Sequence, residues 1–141
     1  ESPRRGENFV TQKIVRSAAE IAAGKKDSLE LGNLDIERDW GHAKDYVKGM
    51  WLMLQQEKPN DYVLATGETH SLKDFLSLAF EYFELDYRDF VSINKRFVRP
   101  NEPQRLCGDS TKARSVLGWD TTYSFEEIIR EMCEVSVILD Q

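Results

Sequence analysis

Apolar residues along this chain fall into stripes of helical period broken by short alternating runs. From Asn8 onward Val10, Ile14, Ala18, Ile21 and Ala22 recur at the spacing of one helix face, and Gly24 beside Lys25 and Lys26 supplies a stop. A short strand is predicted from Leu29 to Leu31. A second stripe, Ala43, Tyr46, Val47, Met50, Trp51 and Leu54, runs to the turn Pro59-Asn60-Asp61, and the alternation after it predicts a strand from Tyr62 to Thr66. Ser71 with Asp74 three residues on resembles a capping box and opens a third helix through Leu72, Phe75, Leu76, Ala79, Tyr82 and Phe83. Two extended stretches follow, from Phe90 to Ile93 and from Arg96 to Arg99, the latter ending at Pro100, which pushes its predecessor toward β geometry. A short helix from Ser110 to Leu117 stops at Gly118. Ser124 and Glu127 form a full capping box for a last amphipathic helix through Phe125, Ile128, Ile129, Met132 and Cys133.

The pattern is five helices interleaved with short strands, an α/β architecture with too little strand for a complete doubly wound sheet. Such an arrangement either packs on a sheet supplied from elsewhere or stands as a small α+β domain. The first residues, Glu1-Ser2-Pro3-Arg4-Arg5-Gly6, read as an interior loop, so a fragment of a longer polypeptide is expected.

Composition narrows the function. A net charge of −6 over 141 residues argues against a general binder of nucleic acid or anionic membrane, because those surfaces require a net positive field. With 31% charged residues and no long apolar run, no membrane span is expected, and a cytoplasmic location is the default. Cys107 and Cys133 have no Cys-x-x-Cys spacing and are expected as buried free thiols. His42 and His70 lack partners at metal spacing, so no metal site is expected. Trp40, Trp51 and Trp119 are expected in the core, Trp51 because it lies on the second stripe.

Two kinds of catalytic apparatus are missing. The eight glycines never make a Gly-x-Gly, so no dinucleotide-binding fingerprint is present, and there is no Walker-type Gly-Lys-Ser/Thr. None of the five tyrosines has a lysine four positions on, the pair by which a tyrosine is activated for proton transfer in short-chain dehydrogenases.

Three arginine-centred segments remain, and arginine is the side chain whose planar fork grips phosphate. Arg4-Arg5-Gly6 precedes a helix N-terminus and is either a shared anion site or a pair of solvated cations. Arg38-Asp39-Trp40 precedes the second helix, and Arg38 there either meets a phosphate or pairs locally with Asp39. Arg99-Pro100-Asn101-Glu102 places a cation and a carboxylate around a rigid proline, suited to a phosphate and sugar hydroxyls or simply to a surface salt bridge.

These segments, Glu1 to Thr11, Leu31 to Asp35, Arg38 to Val47, Ala65 to Glu68, Arg99 to Glu102, and Gly108 to Ala113 with Leu117-Gly118-Trp119, closely resemble GDP-mannose 4,6-dehydratases of the extended short-chain dehydrogenase superfamily. The resemblance spans essentially the whole chain and covers the family's C-terminal half. It implies the α+β substrate-binding lobe of such an enzyme, residues 1–141, with the Rossmann half and its catalytic groups absent. It further implies a homo-oligomeric, NADP-dependent lyase acting on GDP-mannose, with this stretch inactive alone and helix one (1–26) packing on the missing half, its apolar stripe otherwise exposed or rearranged. By position, Arg5 matches a contact to NADP, which the missing half would bind mainly; Asn8 matches the substrate side of the cleft; Arg38 and Arg99 match the arginines that hold the GDP phosphates; Glu102 matches the acceptor of ribose hydroxyls; and Lys13 lies nearby as a further substrate contact. Pro103-Gln104 departs from the family's Val-Asp, and the segment before Arg99 is of the short type. The competing reading is a standalone nucleotide-sugar-binding or regulatory module without catalysis.

Overall fold

The computed structural model describes residues 1–139. Among them are five helices, α1 (Val10–Ala22), α2 (Ala43–Leu54), α3 (Leu72–Glu81), α4 (Thr111–Leu117) and α5 (Phe125–Leu139). Five short strands accompany them, β1 (Leu29–Leu31), β2 (Glu37–Arg38), β3 (His70–Ser71), β4 (Val91–Ile93) and β5 (Arg105–Leu106). Strands β1 and β4 pair in parallel, Leu29 opposite Val91. In a second sheet β2 lies between antiparallel β3 and parallel β5. The expected α/β class with five helices and short strands is what forms.

Helices α1, α3 and α5 enclose the main core. Ile14, Val15 and Ala18 of α1 meet Phe75, Leu76, Ala79 and Phe80 of α3 and Ile128, Ile129 and Met132 of α5, with Leu29 and Leu31 of β1 beneath. The apolar face of α1 is therefore covered within this chain, and the expectation of an exposed stripe there is not met. Both predicted caps are made. Ser71 Oγ accepts from the Asp74 amide at 3.1 Å while Asp74 Oδ2 accepts from the Ser71 amide at 2.8 Å, and Ser124 and Glu127 make the same exchange. Asp74→Ala should cost about 1 kcal/mol in urea unfolding, the usual worth of such a cap.

A smaller core forms between α2 and α4, where Ala113, Leu117 and Trp119 pack against Tyr46, Leu52, Met53, Tyr62 and Leu64. Gly49 lets α2 approach: a Cβ there would stand 2.7 Å from a Leu64 methyl and 3.0 Å from the Trp119 indole nitrogen. Gly118, at φ 62, ends α4 in the left-handed region that the C-terminal stop requires.

Four expectations fail for identifiable reasons. Tyr62 to Thr66 belongs to no ladder among the described residues, since the chain that passes beside it at Gly108 makes no backbone hydrogen bond with it. Lys95–Phe97 is a 3₁₀ turn, not an extended run, since the Asn94 side chain accepts from the Arg96 amide and nucleates it. Trp51 is exposed, whereas Trp119 is buried and Trp40 is half-buried against Phe75 and Phe125. Cys107 is exposed in the strand-edge segment, and only Cys133 is buried. Burial pushes the Cys133 thiol up to about 12. A thiol reagent at neutral pH should accordingly titrate one cysteine in the native chain, lost in Cys107→Ser and not in Cys133→Ser; two equally fast thiols would contradict the packing.

Candidate functional site

The second sheet brings two of the anticipated residues into contact. Arg38 lies on β2, which pairs with β5 just beyond the loop that carries Glu102. Its Nη2 donates to Glu102 Oε1 at 3.0 Å, and its Nη1 donates to the carbonyls of Pro103 at 3.0 Å and Glu37 at 2.7 Å. Three of the guanidinium's five N–H groups are thus engaged, leaving two for a ligand. The pair is mostly buried, with side chains 18% and 19% exposed. Neither local alternative holds, because Arg38 does not pair with Asp39 and Glu102 does not pair with Arg99.

Asp39 has another task. Its carboxylate accepts from the amide and hydroxyl of Thr66 and from the amides of Gly67 and Gly108, tying together three loops beside β2. Arg99 stands exposed three residues before Glu102, and no described residue pairs with it. Between them Asn101 adopts φ 60, a left-handed turn that asparagine tolerates. The loop is held from the far side by Gln104, whose amide donates to the Asp35 carbonyl.

Lys13 makes a second group. Its Nζ donates to the Glu30 carbonyl at 2.8 Å and lies 4.4 Å from the Phe97 ring centroid. Desolvation, with the nearby charge of Lys26, lowers the Lys13 pKa from its ordinary value. Asn94 reaches Glu30 Oε2 at 3.0 Å, and Gly32 faces Phe97 so closely that a Cβ would collide with the Phe97 carbonyl. Gly32→Ala should therefore push the 95–98 turn away and raise amide exchange there; an unchanged exchange pattern would contradict this contact.

Arg5 and Asn8 lie in the turn before α1 and do not touch Arg38 or Glu102. The Arg5 guanidinium sits 3.6 Å over the Phe9 ring, and its buried Nε is ion-paired with Glu1 Oε2 at 3.4 Å without making a hydrogen bond. Asn8 is exposed. The neighbouring loop is fixed by the amino group of Glu1 donating to Gly41 O at 2.5 Å.

Sequence reasoning missed Phe97, Gln104 and Asp39 as shapers of this region. Only Asp39 carried a signal, its place beside Arg38; the other two act through contacts across 69 or more positions of sequence or through a turn no periodicity announces. Concavities of about 410 and 420 Å³ exist elsewhere, the larger lined by Trp40, His70, Arg114, Tyr123 and Phe125 among others, and none of the six anticipated residues lines either. Among the described residues no His, Cys, Asp and Glu cluster is suited to a metal. Among the described residues no helix is long and apolar enough to cross a membrane. Tyr46 is pushed up to about 12 by burial and by the carboxylates of Asp39, Glu1 and Asp45, so it stays protonated.

The family model described as GDP-mannose 4,6 dehydratase matches residues 1–132. The chain belongs to this family. Among curated proteins, GDP-mannose 4,6 dehydratase 1 of Arabidopsis thaliana is 52% identical over 134 residues, covering 95% of this chain and 37% of the relative. The Homo sapiens GDP-mannose 4,6 dehydratase is 44% identical, covering 99% of this chain and 42% of its own length. The chain thus spans about two fifths of the relatives it matches. Among solved structures, RMD from Pseudomonas aeruginosa complexed with NADPH superposes with a TM-score of 0.89 at 17% identity, over 98% of this chain and 46% of that one. MoeE5 in complex with UDP-glucose and NAD gives 0.85 at 17% identity, over 100% and 45%. The dTDP-glucose 4,6-dehydratase of Bacillus anthracis in complex with NAD gives 0.78 at 14%, over 100% and 42%. These likenesses show the fold alone, and those three structures are complexes with NADPH or NAD.

Proposed function

We propose that this chain is the substrate-binding lobe of a GDP-mannose 4,6-dehydratase, a lyase that forms GDP-4-keto-6-deoxymannose, and that its own task is to hold the GDP moiety. The observation that carries this is the Arg38–Glu102 pair beside the unpartnered Arg99, within a stretch that belongs to the dehydratase family throughout. Arg38 keeps two N–H groups free for a phosphate, Arg99 supplies a second cation, and the remaining lone pairs of Glu102 accept from ribose hydroxyls. Lys13 and Asn8 lie toward the sugar side, where a desolvated lysine over an aromatic ring donates to hydroxyls.

Arg5 fits a contact to NADP through the outer N–H groups of its guanidinium, since the side chain is 38% exposed while its Nε is ion-paired with Glu1. The nicotinamide cofactor would take up and return the hydride that the dehydration moves; this chain binds and orients. Hydride exchange and loss of water need groups that this sequence does not contain, so catalysis belongs to the intact homo-oligomeric enzyme in the cytoplasm.

Calorimetry is the test. Alone, this chain should bind GDP-mannose weakly or not at all, since the cofactor-side wall of the site is missing. In the protein completed by a nucleotide-binding half, binding should appear and fall in Arg38→Ala and Arg99→Ala. Sub-micromolar binding by the chain alone, or unchanged affinity in both variants, would overturn the assignment.

A further inference from the structure

The loop that carries Arg99 and Glu102 starts from Phe97 and ends at Gln104, and both of those residues rest on one short stretch, Gly32 to Asp35. At the first end Gly32 lies so close to the Phe97 backbone that a Cβ would collide with it, and Lys13 Nζ stands 4.4 Å from the Phe97 ring centroid. At the other end the Gln104 side-chain amide donates to the Asp35 carbonyl, while the Glu37 amide donates to the Gln104 carbonyl at 2.8 Å. Residues 32–35 therefore span the mouth of the loop as a strut.

The strut is itself fixed from behind. Leu34 is buried in the main core, and its carbonyl accepts from the Lys73 amide of α3 at 3.2 Å. Lys73 Nζ donates to Asp35 Oδ1 at 2.5 Å, and the Asn33 side chain accepts from the Asp35 amide at 3.0 Å. Just before the strut, the Leu31 carbonyl accepts from the Asn94 amide at 2.7 Å. Core packing and α3 thus set where the two anchors stand. Between the anchors Arg38 reaches Glu102 and the Pro103 carbonyl, but a guanidinium that also grips a phosphate is shared among more acceptors. Gln104 bonds to neither Arg38 nor Glu102, so its tie to the strut is independent of the ligand.

We infer that Gln104 is a positioning residue for the nucleoside diphosphate: its bond to the strut fixes Glu102 relative to Arg99, so that the carboxylate stands ready for the ribose hydroxyls. The inference rests on the GDP-holding role proposed above. A ligand that must itself fix a loop loses affinity in proportion to the time the loop spends out of place. The chemistry at position 104 is specific, because the acceptor is a carbonyl and only a side chain with an N–H or O–H can serve it. The two anchors also divide the work. The Gly32–Phe97 contact governs the Arg99 end, and the Gln104–Asp35 bond governs the Glu102 end. Gln104 is exposed, so replacing it empties no core.

Calorimetry with GDP and with 2′,3′-dideoxy-GDP, on the protein completed by a nucleotide-binding half and loaded with NADP, separates this role from a merely structural bond. The protein without substitution should prefer GDP by about tenfold or more, since only GDP offers ribose hydroxyls to a carboxylate. In Gln104→Met that preference should shrink to within about twofold, while the dideoxy nucleotide binds as before. Gln104→Lys restores a donor of similar reach and should recover the preference, a ratio in which the added charge cancels. Gly32→Ala, acting at the Arg99 end, should weaken both nucleotides alike; loss of the preference alone in that variant would overturn the division of work. A preference unchanged in Gln104→Met, or a loss shared equally by the two nucleotides, would overturn the inference. Absence of any preference before substitution would remove the ribose reading and this inference with it, whereas a preference that persists in Gln104→Met sinks the inference and leaves that reading standing. Should the joined protein not fold, residues 32–35 and 99–104 placed in the intact Arabidopsis thaliana relative carry the same comparison.

Discussion

Trp119→Ala is expected to destabilise this chain by about 3–5 kcal/mol in urea unfolding, the usual cost of emptying a buried indole site. The side chain is 1% exposed and closes the small core between α2 and α4. Its Nε1 donates to the Asp45 carbonyl at 2.7 Å, so truncation removes both packing and the link to α2. Asp45 itself, 2% exposed, accepts from the Thr122 amide at 2.9 Å and its hydroxyl at 2.5 Å, and the loop after Trp119 depends on that carboxylate. Loss of the indole should therefore loosen residues 119–123 as well as α4. Trp51→Ala makes the internal comparison, since an exposed side chain with no such bond should change stability by no more than about 0.5 kcal/mol in the isolated chain. Similar losses in the two variants would contradict the assignment of one tryptophan to the core and the other to an open face.

Arg38→Ala should weaken binding of GDP-mannose to the completed enzyme by about a hundredfold. A hydrogen bond to a charged group is worth about 1.5–3 kcal/mol, and each 1.4 kcal/mol is tenfold in affinity. The change removes the proposed phosphate contact and also the fork that holds Glu102 and the Pro103 carbonyl in place. Arg38→Lys separates the two parts. It keeps a charge but cannot reach Glu102, Pro103 and Glu37 together, so partial binding should survive with a more mobile 99–104 loop. Affinity unchanged by both substitutions would place the phosphates elsewhere.

Much of this was legible in the sequence, and the failures share a cause. Helical stripes, capping boxes and terminal glycines depend on neighbours within about one turn, and α1, α3, α4 and α5 follow them. The 62–66 segment has the alternation of a strand but lacks the second strand that would make it one. Trp51 lies on a sound helical stripe, yet a stripe tells which residues share a face and not whether that face is covered. The Arg38–Glu102 pair joins positions 64 apart and could not be read from spacing; the family resemblance brought both residues forward without indicating that they touch. Sequence proximity alone points to Asp39 as a partner of Arg38. Its real partners are supplied by loops at 66–67 and 108.

The central claim, that this chain is the GDP-holding lobe of a dehydratase, is tested most directly by completing it. Joined to the nucleotide-binding part of the Arabidopsis thaliana relative and supplied with NADP, it should convert GDP-mannose to GDP-4-keto-6-deoxymannose, with the chain alone inert. A joined protein that folds and binds the cofactor but leaves GDP-mannose unbound and unconverted would contradict the account.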